Sequence, residues 1–120
     1  MAKEKRIYQR LSGFVNVRYA VRGRDREKIE SVPRNIGGGG LGICLAERLQ
    51  EGTILDLEIT IPDNPQRPIS GVGEVSWTKP FGVIKTDREV NLFETGIKFI
   101  DIDPIAVGRV YTYFYNIPHI

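Results

Sequence analysis

Hydrophobic and polar residues alternate with a period of two along most of this chain. The clearest run is Thr53 to Ile61, where Thr53, Leu55, Leu57, Ile59 and Ile61 fall on one face and Asp56, Glu58 and Thr60 on the other. A strand with one face on a core and one in water has this pattern. Phe14 to Val21 repeats it, with Val15, Val17, Tyr19 and Val21 opposed to Asn16, Arg18 and Ala20. Leu41 to Leu45 reads as a short strand, with Cys44 in it as a small hydrophobe. Ile69 to Trp77 is another, in which Gly71 and Gly73 mark a bulge, a bend or a close backbone approach. Phe93 to Ile102 is a further strand.

The segments between them break the alternation. Arg22 to Glu30 reads as a charged loop at a hairpin tip, and Ser31-Val32-Pro33 as a lead into Arg34 and the glycines that follow. Ala46 to Gly52 is a turn or a single helical turn, Pro62 to Pro68 a proline-rich turn, and Lys79 to Asn91 a connection of mixed character. Asp103-Pro104 has the form of a helix N-cap with proline at the first helical position. The helix it opens buries Ala106, Val107, Val110, Tyr111 and Phe114, and Pro118 closes it. Five or six short strands and one helix predict a mainly all-β fold. Its form is a small antiparallel six-stranded β-barrel with a C-terminal α-helix over one opening. The domain organisation expected is an arm over residues 1–12, without regular structure on its own, and one barrel domain over 13–120 with its helix at about 104–116.

Composition adds boundaries. The chain has 120 residues, enough for one modest core. No apolar run approaches the ~18 residues of a spanning helix, and the charged start Met1 to Arg6 leads into no apolar stretch of the signal-peptide kind. Together with a single cysteine, this predicts a cytoplasmic protein without membrane insertion. The net charge of +2 conceals an asymmetry. Residues 1–35 carry ten basic and four acidic side chains, a net of +6, and the rest carry seven and eleven, a net of −4. A local anionic ligand suits that distribution better than a long polyanion, so nucleic acid is not the expected partner.

The sequence is poor in catalytic signals. His119 is the only histidine, so neither a zinc cluster nor a Ser–His or Cys–His nucleophile pair is expected. No acidic residues are paired in the manner of a general acid and base, and no Walker-type phosphate loop occurs. No catalytic residue and no metal are assigned.

Two stretches stand out from this background. Lys5-Arg6-Ile7-Tyr8-Gln9-Arg10 places two guanidinium groups four residues apart beside a lysine. Guanidinium groups grip phosphates and purine edges through paired hydrogen bonds and stack on bases. The second stretch, Arg34-Asn35-Ile36-Gly37-Gly38-Gly39-Gly40-Leu41-Gly42-Ile43, runs four glycines into a strand. Read by itself it is a flexible hairpin turn, or a backbone free to adopt positive φ and to approach a ligand closely.

In this order, and flanking the first strand, the two stretches resemble the PilZ domain family, whose members bind the bacterial second messenger cyclic di-GMP. The family's RxxxR motif is matched by Arg6 and Arg10 after Lys5. Its second motif, D/N-x-S-x-x-G, is matched at Asn35 and Gly40 and departs at Gly37, where serine is usual. Leu41-Gly42-Ile43, Gly73-Glu74-Val75-Ser76-Trp77 and Glu94-Thr95-Gly96-Ile97-Lys98-Phe99-Ile100 extend the resemblance over nearly the whole chain. The resemblance implies a bacterial cyclic di-GMP receptor, not an enzyme. Arg6 and Arg10 would hold phosphates and guanine edges, with Lys5 helping. Asn35 would hydrogen-bond a guanine that Gly40 leaves room for, and Gly37 would stand in the site at the serine position. Trp77 would flank the site, or pack at a strand end as an ordinary barrel residue. No cofactor beyond the ligand is implied. Ligand binding would order the arm and offer a surface to a downstream protein in motility or biofilm control. The alternatives are a divergent adaptor working through protein contacts without nucleotide and, further off, a small barrel for single-stranded nucleic acid. Exposed Tyr113 and Tyr115 would allow a homodimer.

Overall fold

The computed structural model describes residues 15–24, 27–62 and 66–116. Six strands and one helix follow in order: β1 (Asn16–Val21), β2 (Ile29–Ile36), β3 (Gly40–Leu45), β4 (Ile54–Thr60), β5 (Ile69–Lys85), β6 (Glu89–Asp101) and α1 (Pro104–Asn116). All neighbours are antiparallel, and the sheet closes on itself in the order β1-β2-β3-β6-β5-β4. Closure removes the free sheet edges that an open barrel fragment would present.

The alternating residues fill the barrel. Val17, Tyr19, Leu41, Ile43, Leu45, Leu55, Leu57, Ile59, Val75 and Ile97 are buried there, and Val110 of α1 joins the same cluster. Outside, the polar residues pair across strands: Arg18 donates to Glu58, and Arg22 to Asp56 at 2.6 Å. Pairs of this kind on a wet surface contribute little to stability. Gly73 is the close approach its position suggested. It follows a register shift in which β6 carries the extra residue, Ile100, and a Cβ there would lie 2.4 Å from Ile97 Cγ2.

Two stretches between the expected strands are themselves strand. The stretch read as loop and lead-in, from Arg22 to Pro33, holds the first five residues of β2, which runs on to Ile36. Pro33 lies inside that strand because the register shifts between Pro33 and Asn35, so its missing N–H falls beside a bulge. Likewise, Lys79 to Asn91 is no loose connection. β5 continues to Lys85 and β6 starts at Glu89, and a bulge between Pro80 and Gly82 accommodates the proline. Each bulge breaks the period of two, which is why the alternation is not legible there.

The helix begins as its sequence dictates. The Asp103 carboxylate accepts from the Ile105 N–H at 3.0 Å, and the Asp103 carbonyl from the Val107 N–H at 3.0 Å. Ala106, Val107 and Val110 are buried. Tyr111, expected in the core, is instead exposed, with its ring 4.7 Å from that of Tyr115. Tyr113 is not a free surface residue, since it is half-buried against the core. Tyr115 is exposed as expected, but its hydroxyl accepts from the Ile36 N–H at 3.2 Å and so fastens α1 to the end of β2.

At the barrel mouth, the buried Tyr19 phenol donates to Glu47 at 2.6 Å, and Arg24 grips the same carboxylate at 2.8 and 2.9 Å. Arg24 foremost, opposed by burial and assisted by Tyr19, holds the Glu47 carboxyl below its ordinary value. A carboxylate lowered on folding stabilises the fold above its unfolded value of about 4.3, and the contribution disappears as pH falls through the folded value. Glu47→Gln is therefore expected to lower the melting temperature at pH 7, with the gap to wild type closing in melts run below about pH 4.

Candidate functional site

The bulge in β2 sets up the outer face of the barrel. Pro33 pairs with Ile43 and Ile36 with Leu41, both core positions, while Asn35 pairs with Gly42. Arg34, the extra residue, and Asn35 are both exposed. Without the bulge, consecutive residues would face opposite sides.

From Asn35 a row runs in register across four strands. Asn35 lies opposite Gly42, Gly42 opposite Gly96, and Gly96 opposite Trp77. The two central glycines are buried by the side chains at the ends of the row. A Cβ on Gly42 would sit 2.9 Å from Asn35 Oδ1, and one on Gly96 only 2.1 Å from Trp77 Nε1. The indole thus lies over bare backbone, 40% exposed. The result is a shelf with a glycine floor, an amide at one end and an aromatic plane at the other. Each is a group suited to a planar, hydrogen-bonding ligand.

Charged groups line both sides of the shelf. Lys98 lies opposite both Gly40 and Glu74, with its Nζ 3.9 Å from the Glu74 carboxylate. On the other side, Glu94 is shared by Arg34 at 4.0 Å and Lys79 at 3.8 Å. Three cations therefore face two carboxylates, all at long distances. Cys44, opposite Glu94 on β3, is buried. Burial pushes its thiol up, Arg34 pulls the other way, and Glu94 adds to the rise, so it stays a protonated, small apolar group.

The glycine run makes a tight hairpin between β2 and β3. Gly37 N–H donates to the Gly40 carbonyl at 2.8 Å, and Phe99 N–H to the Gly39 carbonyl at 2.9 Å, so the hairpin is tied to β6. None of the four glycines has positive φ. Among the described residues that conformation occurs at Gly23 and Gly52. The need for glycine is instead steric and confined to Gly40, where a Cβ would meet the Ile97 carbonyl oxygen at 2.1 Å. Gly37, Gly38 and Gly39 have open space around them.

Of the residues singled out in the sequence, Asn35, Gly37, Gly40 and Trp77 therefore lie on one part of the surface. Lys5, Arg6 and Arg10 lie outside the described residues. The sequence reading did not assign Gly42, Gly96, Arg34, Lys79 or Lys98 to the site. The spacing of Gly40 and Gly42 by two on one strand face was the available signal for Gly42. Among the described residues, no group of three His, Cys, Asp or Glu is placed to hold a metal ion, and no helix is long and apolar enough to cross a membrane.

A closed antiparallel barrel with one capping helix and a glycine-floored outer shelf defines a small binding domain. Residues 4–116 match the family model of the PilZ domain, and the chain belongs to that family, whose members are generally cyclic di-GMP receptors. None of the curated proteins searched matches the chain.

Proposed function

We propose that this protein is a cyclic di-GMP receptor whose ligand lies on the shelf between Asn35 and Trp77 and is closed over by residues 1–12. The observation that carries this is the register of β1 on β2. Val17 pairs with Ser31 and Arg18 with Glu30 in antiparallel sense. The start of β1, at Val15 and Asn16, therefore lies at the Pro33–Asn35 end of β2, next to the shelf. RxxxR precedes that start in sequence, and Arg10 and Asn35 are 25 positions apart. A shelf on a barrel wall offers a ligand only one side, and in this reading the basic residues 1–12 supply the other. Arg6 and Arg10, with Lys5, take the phosphates and guanine edges. Asn35 hydrogen-bonds a guanine, and Gly40 and Gly37 keep the approach clear. Ordering of the segment on binding creates the surface that a downstream protein reads.

The adaptor reading has support in the exposed Phe81 and Val83 on β5, which suit a protein contact as well. Isothermal titration with cyclic di-GMP, with GTP and GMP as controls, separates the two. Saturable binding of the cyclic dinucleotide alone supports the receptor, and a flat titration of folded protein supports the adaptor. Gly37→Ser in the same titration restores the family's usual hydroxyl. A hydrogen bond contributes about 0.5–1.5 kcal/mol, and a Cβ at Gly37 meets nothing within 4 Å. The variant is expected to bind as well as wild type or up to about tenfold tighter, with an unchanged melting temperature. A large loss would place the ligand elsewhere.

A further inference from the structure

We infer that Arg34 is a third arginine of the nucleotide site, serving as a stacking platform for one purine base; the inference rests on the receptor reading above. Arg34 is the extra residue of the β2 bulge, one position before Asn35 and on the same outer face. Its guanidinium carbon lies over the Phe81 ring, 4.5 Å from the centroid, so the group is held from below by a second bulged residue. Its side chain is nevertheless 44% exposed, which leaves the guanidinium accessible from outside. A planar cation backed by an aromatic ring and open to solvent is a surface on which a purine stacks.

The charge arrangement keeps that surface available. Arg34 shares Glu94 with Lys79, and both contacts are long, at 4.0 and 3.8 Å. Neither is the bidentate pair that would consume the donors of a guanidinium. An anionic ligand arriving beside Asn35 can draw Arg34 from Glu94 while Lys79 continues to neutralise the carboxylate. Nor is Arg34 a core element, since it is exposed and stands outside the hydrophobic cluster that includes Ile43, Leu45 and Ile97.

The test compares wild type with Arg34→Ala and Arg34→Lys by isothermal titration with cyclic di-GMP, with thermal melts alongside. Loss of a stacking partner is expected to weaken binding at least about fivefold in Arg34→Ala. Arg34→Lys keeps the charge but not the plane, and it is expected to recover less than half of that loss. Melting temperatures of both variants should stay close to wild type. Wild-type binding with Arg34→Ala within about twofold of it overturns the inference and leaves the receptor standing. Full recovery by Arg34→Lys also overturns it, because a point charge would then suffice. Absence of wild-type binding overturns the receptor reading, and this inference with it.

Discussion

Gly40→Ala is expected to be the most destabilising single-methyl substitution on the binding face. The added carbon would lie 2.1 Å from the Ile97 carbonyl oxygen and 3.2 Å from Lys98 Cα. Both are backbone, so no side-chain rotation relieves the overlap. β3 and β6 would have to part where Gly40 pairs with Lys98 and Leu41 with Ile97. Overpacking of a well-fitted interior costs about 1–3 kcal/mol, and a contact with backbone belongs at the upper end or above it. A loss of about 3 kcal/mol in a domain of this size lowers the melting temperature by roughly 10–20 °C. Gly38→Ala, two residues away in open space, should melt like wild type. Equal melting of the two variants would contradict the assigned hairpin geometry. Gly96→Ala differs from both: the atom it meets is Trp77 Nε1, on a side chain that can swing away. Its effect should fall on the shelf more than on the fold.

Arg10→Ala is expected to remove most of the affinity for cyclic di-GMP. A hydrogen bond to a charged group contributes about 1.5–3 kcal/mol, and a guanidinium makes them in pairs. At about 1.4 kcal/mol per factor of ten, a roughly tenfold to hundredfold increase in Kd follows. Arg10→Lys should rescue little, because an ammonium cannot reproduce the planar fork. The same titration carried out at higher salt should weaken wild type more than Arg10→Ala, since the variant has lost part of its charge contact. An unchanged Kd in Arg10→Ala would detach the N-terminal motif from the ligand.

Much of the barrel is legible in the sequence where a strand is regular. β4 alternates without interruption, and its Leu55, Leu57 and Ile59, with Ile61 just beyond its end, are buried as the alternation requires. The Asp103-Pro104 cap likewise depends on neighbours in sequence alone. β2 and the outer parts of β5 and β6 are not legible, because Pro33 and Pro80 suggest interruption and the bulges beside them shift the period. Tyr111 shows the limit of helical periodicity. It lies within the apolar pattern, yet the helix packs on the core through Val110, with Tyr113 and Phe114 beside it, and Tyr111 is left to pair with Tyr115.

The site divides along the same line. Asn35, Gly37 and Gly40 are adjacent in sequence and can be read as one motif. The floor that joins them to Trp77 depends on β3 lying beside β6 and β6 beside β5, an adjacency fixed by closure of the barrel. Gly42 and Gly96 are 54 positions apart in sequence, and their pairing has no local signal. The glycine run misleads in a different way. Its composition suggests positive φ, whereas the chain uses glycine at position 40 to let two strands approach.

Amide spectra of isotope-labelled protein, recorded as cyclic di-GMP is added, test the location of the site most directly. Trp77 is the only tryptophan, so its indole N–H gives a single resonance. The largest shifts are expected at Gly37 to Gly42, at Gly96 and at that indole. Residues on the β1–β4 side, such as Arg18 and Glu58, should stay in place. Unshifted spectra at saturating ligand, or shifts centred on β1 and β4, would contradict that location.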